Sequence, residues 1–225
     1  MLRADVIPMG IDPTSQWGKI EIDATLAGRR AGGSAADKAR GLRDAAPVRT
    51  RLARLFGKHT DERAWRKGAN GERMTAWWLG RLPEGWHLFN DVPIGERGTN
   101  IDHVLVGPAG VFTVNAKNLT GKIWVGSRAI LHNGHKTSYL PNALAEARRA
   151  SRLLAKALDR PIDVYPILAV LADDWTIKEK PTDVLVGPPR AVKDWLVRRP
   201  ATLSSADVIA ISAAVARPST WQRSR

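Results

Sequence analysis

The stretch from Asn100 to Asn118, N-I-D-H-V-L-V-G-P-A-G-V-F-T-V-N-A-K-N, constrains the fold more than any other part of the chain. Two apolar runs, Val104 to Val106 and Val111 to Val114, flank Gly107-Pro108-Ala109-Gly110, a turn signal short enough to make them antiparallel neighbours. Side chains two apart project from one face of a strand, so Asn115 and Lys117 point the same way, and the hairpin brings Asp102 beside Asn115. Buried strands seldom carry an acid and a lysine without a partner or a task, because removing unpaired charge from water is costly. Two readings explain the trio. In one, Asp102 and the oxygen of residue 115 hold a hard cation such as Mg2+, while Lys117 stabilises charge near a phosphate. In the other, Asp102 and Lys117 form a structural ion pair at a sheet end. The residues alone leave both open.

Around this hairpin the patterning alternates between helix and strand. Residues from about Asp61 to Leu82 read as a helix with Met74, Trp77, Trp78 and Leu82 on its apolar side and the tryptophans in the core, and Pro83-Glu84-Gly85 ends it. Glu72 shares a face of this helix with Ala76 and Leu79, so it either faces the sheet or caps or salt-bridges its own helix near Gly71. Trp86 to Ile94 reads as a first strand. Lys122 to Val125 and Ala129 to His132 read as further strands, with Asn133-Gly134 a hairpin turn, so a mostly antiparallel meander is predicted. A second helix from about Asn142 to Leu158 carries Leu144, Ala147, Ser151, Leu154 and Leu158 as an inward stripe. Val164 to Ala172 is a nearly continuous apolar run, read as a buried strand. Beyond it, Asp183 to Val186 adds a strand, and Arg190 to Val197 and Ser205 to Ala216 read as peripheral helices.

Charge narrows the class of partner. The 225 residues carry a formal net charge of +13, and basic proteins attract polyanions and release their counterions on binding, so nucleic acid is the expected partner. On the second helix Arg148, Arg152 and Lys156 recur every fourth residue, with Arg149 adjacent. This row either tracks a phosphate backbone or is an ordinary solvated face. Residues 1–60 have little apolar periodicity beyond a possible strand from Trp17 to Leu26, and read as a largely disordered basic arm. The domain expectation is therefore an arm over 1–60, a core domain over 61–180 and a helical extension over 181–225 packed on it. The chain has no cysteine, which rules out disulfides and thiolate metal sites. It shows no membrane-length apolar run and no signal-peptide pattern at its start, so a cytoplasmic location and no membrane contact are expected. Phosphate-cradling glycine loops, metalloprotease histidine spacing and nucleophile elbows are all missing, and His103 points to the strand face opposite Asp102.

From Gly68 to about Asp174 the chain resembles the nuclease-related domain family (NERD), a branch of the restriction-endonuclease-like superfamily. The resemblance rests on G-A-N-G-E at 68 to 72, I-D-H at 101 to 103, G-V-F-T-V-N-A-K-N at 110 to 118 and the following Gly121. It implies an α/β fold with a restriction-endonuclease-like core, a mixed central sheet flanked by helices, and Mg2+-assisted or Mn2+-assisted phosphodiester hydrolysis of DNA. It also implies roles. Glu72, Asp102 and Lys117 match the family pattern, whereas Asn115 stands where the superfamily usually has a carboxylate. The implied catalytic set is Glu72, Asp102, Asn115 and Lys117, with Glu72, Asp102 and Asn115 as metal ligands. A second subunit or a protein partner is also expected from the resemblance. An amide oxygen ligates Mg2+ but brings no formal charge, which lowers affinity. The alternative expectation is therefore a catalytically weakened module that binds nucleic acid or another partner on the same fold.

Overall fold

The computed structural model describes residues 26–33, 61–94 and 99–222. Most of the expected arm and of its Trp17 to Leu26 strand lies outside the described residues. Within that arm, residues 26–33 are an exception to the disordered reading. Leu26 opens a short 3-10 turn, Leu26–Gly28, and is buried at 4% exposure in the main core.

The first helix, α1, spans Asp61–Leu79 and is followed by three strands, β1 (His87–Pro93), β2 (Asn100–Gly107) and β3 (Gly110–Asn118). These pair antiparallel in that order, and the β2–β3 hairpin closes on the pair Gly107 and Gly110 as the sequence predicts. The chain then forms β4 (Lys122–Val125), β5 (Ile130–His132), β6 (His135–Lys136), helix α2 (Tyr139–Leu158), β7 (Val164–Leu171), β8 (Asp174–Ile177), β9 (Leu185–Gly187), α3 (Pro189–Val197) and α4 (Ser205–Ala216).

The antiparallel meander stops at β3. After α2 the chain returns as β7, which pairs parallel with β3 from Val111 against Val164 to Asn118 against Leu171, and β9 adds parallel to β7. The position beside β3 is thus taken by a strand that arrives through a crossover helix, as parallel pairing requires. Strands β4 to β6 are displaced into a second sheet of order β6-β5-β4-β8, in which β8 was not foreseen. The central sheet, of order β1-β2-β3-β7-β9, is mixed and flanked by helices, which is the α/β class expected. The β5–β6 turn has both Asn133 and Gly134 at positive φ, 50° and 82°, the conformation an Asn-Gly hairpin favours.

Strand alternation assigns the two sheet faces. Val104, Val106 and Val111 pack with Ala150 and Leu154 of α2 and with Val208, Ile211 and Val215 of α4. On the opposite face Leu105, Phe112, Val114, Ile167 and Ala169 pack with Leu79 of α1 and Val192 and Leu196 of α3. Full burial of each such aliphatic side chain contributes about 1.5–3 kcal/mol.

Helix α1 turns a different face inward from the one its large apolar residues suggest. Ala69, Gly71, Thr75 and Leu79 are buried, whereas Met74 and Trp77 are 46% and 49% exposed, so the core role expected of Trp77 does not hold. The reason is steric. Gly71 lies so close to β3 that a Cβ there would stand 2.8 Å from Cβ of Asn118, and only a stripe of small residues permits that approach. Trp77 instead lies under the Arg81 guanidinium, 3.2 Å from its ring centroid, and meets Trp78 edge to face at 4.8 Å. In α2 the buried stripe is Leu140, Ala143, Ala147, Ala150 and Leu154, rotated from the expected one. Ser151 leaves the apolar stripe by donating its hydroxyl to the Ile162 carbonyl at 2.6 Å.

Candidate active site

The site lies where β2 and β3 part. Their regular pairing ends at His103 against Val114, and one step further Asp102 Oδ2 accepts the Ala116 N–H at 2.7 Å. A side-chain oxygen takes the place of the next backbone partner, and β3 continues past this fork paired with β7. Alternation then sets Asp102, Asn115 and Lys117 on the face covered by α2, since they share parity with Val104, Val106 and Val111.

Helix α2 answers Asn115 with a residue that the sequence reading did not select. The Asn115 Nδ2 donates to both carboxylate oxygens of Glu146, each at 3.2 Å. This orients the amide, with its nitrogen toward the carboxylate. Its Oδ1 is buried and accepts no hydrogen bond from the protein. An unsatisfied buried acceptor costs about 1–3 kcal/mol.

Glu72 enters from α1. The contact of Gly71 with Asn118 brings the start of α1 against the end of β3, and the Glu72 carboxylate accepts the Gly32 N–H there. Burial, reinforced by Asp102 and Asp91, pushes the Glu72 carboxyl up to about 7, with the Gly32 N–H and Lys117 pulling it back. Burial likewise raises Glu146 to about 7 against the Asn115 hydrogen bond, with Asp102 adding and Lys117 opposing. Burial also raises the Asp102 carboxyl, against the lowering pull of Lys117 and the Ala116 amide. Lys117 is therefore the cation common to all three carboxylates. Its Nζ donates to the Ala116 carbonyl at 3.2 Å and sits 5.8 Å from the centre of the Tyr139 ring. The expected pairing of Asp102 with Lys117 as a separate ion pair is not among the salt bridges within 4 Å of the described residues.

A fourth acid stands behind these. Asp91 is buried in β1 at a φ of 54°, accepts Asn100 Nδ2 at 2.7 Å and pairs with Arg29 at 2.7 Å. Arg29 and Gly32 both belong to the short N-terminal segment, which thereby touches two of the four acids. The sequence offered a faint signal for Asp91, an acid inside the apolar strand F-N-D-V-P. For Glu146 the only signal was an amide at position 115 in want of a partner.

His103, as expected, faces away from Asp102. It is fully buried, with Nδ1 2.9 Å from the Asn90 Oδ1, and burial lowers its pKa to about 4. It is neutral at physiological pH.

The oxygens of Asp102, Asn115, Glu72 and Glu146 are of the kind a hard divalent cation takes, and the orphaned Asn115 Oδ1 is an acceptor such an ion would satisfy. Among the described residues, no three Asp, Glu or His side chains are grouped tightly enough to hold an ion. The basic row continues along α2 from Glu146 toward the end of the sheet where Val111 pairs with Val164. Arg148, Arg152 and Lys156 are exposed and Arg149, one turn on from Glu146, is half-buried. Arg148 and Arg152 with Ser151, Asp163, Val164 and Tyr165 line an open hollow of about 540 Å³.

The mixed sheet flanked by helices is consistent with an α/β nuclease-like fold and with the restriction-endonuclease-like superfamily. Residues 67–171 match the family model described as nuclease-related domain (NERD). The family points to nucleic acid as the class of partner and to use of a divalent cation. Comparisons with curated proteins and with solved structures gave no significant match. Among the described residues no helix is long and apolar enough to cross a membrane.

Proposed function

We propose that this protein hydrolyses phosphodiester bonds in DNA with the help of Mg2+ or Mn2+. The observation that carries the reading is the buried, unpartnered Asn115 Oδ1 beside Asp102, with Glu72 and Lys117 in the same electrostatic field. Asp102, Asn115 and Glu72 would hold the cation, which when bound polarises a phosphoryl oxygen and makes water more acidic. Lys117 stabilises negative charge as it develops on the phosphate in the transition state. In the reaction the water oxygen bonds to phosphorus, the bond from phosphorus to the sugar oxygen breaks, and the proton that water loses balances the one the departing alkoxide gains. Exposed Arg148 and Arg152 bind backbone phosphates along α2, away from the cut, with Arg149 and Lys156 extending the row. The unit that acts is residues 61–180, braced by 181–225, in a reducing cytoplasm.

A second reading has an observation of its own. The acids stand apart rather than grouped around an ion position, which suits a weakened module that binds nucleic acid without cutting it. Nicking of supercoiled plasmid separates the two. Cutting with Mg2+ or Mn2+ that disappears in chelator, in Asp102→Ala and in Lys117→Ala supports the nuclease. Salt-sensitive DNA binding by all three proteins without cutting supports the binding module.

A further inference from the structure

We propose that Glu146 supplies the carboxylate that position 115 lacks, so that the cation site draws its second anionic ligand from α2 instead of β3. The proposal rests on the cation-dependent reading above and adds a ligand to it.

The first argument is geometric. Glu146 is held by the site itself, through Asn115 Nδ2 at 3.2 Å from each of its oxygens. The same contact turns Asn115 Oδ1 away from Glu146 and leaves it without a protein donor. The pair thus puts an amide oxygen and a carboxylate, donors of the kind a hard cation accepts, at one point of the sheet and on opposite sides of the Asn115 amide nitrogen. Ala143, Ala147 and Ala150 are all buried beside Glu146 and keep the helix near the sheet, so a side chain of this length reaches β3.

The second argument is charge. Asp102 and Lys117 together are neutral, and Asn115 adds nothing, so without further acids the site has no net attraction for a divalent ion. Glu72 and Glu146 restore it, and Glu146 is the one in direct contact with the altered position. The third argument is the symmetry of the pair. A carboxylate on β3 facing an amide on α2 would place the same two groups at the same distance with their roles exchanged. Two carboxylates would repel each other there, whereas the amide at 115 donates to the acid at 146.

The test uses Mn2+ alone, titrated calorimetrically into the full chain. It compares wild type, Asp102→Asn, Glu146→Gln and the double variant Asn115→Asp with Glu146→Gln. The double variant is isosteric with the wild type and exchanges the two roles. Glu146→Gln is expected to weaken Mn2+ binding at least about tenfold, and the double variant to recover to within about threefold of wild type. Plasmid nicking should follow the same order. If Asp102→Asn loses Mn2+ while Glu146→Gln binds it like the wild type, Glu146 is not a ligand and the proposal falls, although the cation site stands. A Glu146→Gln loss that the double variant fails to recover also overturns the exchange of roles. Absence of Mn2+ binding by the wild type overturns the proposal together with the function beneath it.

Discussion

Arg29 Nη2 lies 2.7 Å from Asp91 Oδ2, so a residue from the short N-terminal segment neutralises a buried acid at the back of the site. Asp91 is almost fully buried, while Arg29 keeps about a third of its side chain in water, so solvent screening discounts the pair. Arg29→Ala should destabilise the fold by about 1–3 kcal/mol, measured by urea denaturation at neutral pH, because a buried acid loses a charge partner. Arg29→Ala with Asp91→Asn should recover much of that loss, since Asn100 still has a side-chain acceptor at 91.

Two carboxyls raised to about 7 make the site a source of instability at neutral pH. In the unfolded chain Glu146 ionises near 4.5, and in the fold near 7, so the native state keeps a proton that the unfolded state has lost. Stability from this group is present below about 4.5 and falls as pH rises through about 7. Glu146→Gln should therefore raise the unfolding midpoint at pH 8 by a few degrees and change it little at pH 4. Thermal melts of the two proteins across this range check the sign.

His103 gives the opposite slope. Its folded pKa of about 4 lies below the ordinary 6.5, so the unfolded chain takes up the proton first and stability drains as pH falls from 6.5 toward 4. The full effect is of the order of 3 kcal/mol. Ring resonances of His103 in an NMR titration should show no protonation above pH 5. A midpoint near 6.5 would contradict its placement against Asn90.

Gly71→Ala sets helix propensity against packing. Alanine favours a helix interior by about 1 kcal/mol over glycine. Here its methyl would meet Asn118 Cβ at 2.8 Å, and the required shift of α1 should cost about 1–3 kcal/mol and move Glu72 from the site. Chemical denaturation and nicking should both show a loss. A stabilised, fully active variant would mean that α1 is not seated as described.

Arg148 and Arg152 should bind phosphates without touching the chemistry. Replacing both by alanine is expected to lower the slope of log affinity against log salt by about 2 for duplex DNA and to leave Mn2+ affinity unchanged. Fluorescence anisotropy over a salt series measures it.

The hairpin around Gly107 to Gly110 was legible because local alternation and a four-residue turn suffice to define it. So was the shared face of Asn115 and Lys117, which strand period sets, with Asp102 brought beside Asn115 by the hairpin. Glu146 was not, since it lies 31 residues beyond Asn115, within the crossover helix, and along the sequence it is one more charged helix position. The meander was over-extended for the same reason: nothing local says that β7 will occupy the edge of β3. Trp77 misled because hydrophobicity was read without shape, and the space between α1 and β3 admits glycine and alanine but no indole. Strand β8, with Asp174, Thr176 and Ile177 exposed, lacks the apolar run that would have marked it.

Lys117→Ala offers the most direct measurement, because Lys117 is assigned to the phosphate and not to the cation. Mn2+ binding and single-turnover plasmid nicking should be measured on the same preparations of wild type and variant. The predicted result is retained Mn2+ binding with nicking reduced about 10²–10³-fold. Nicking by the variant at the wild-type rate, or a wild type that binds Mn2+ and DNA yet never cuts, would contradict a hydrolytic site at Asp102, Asn115 and Lys117.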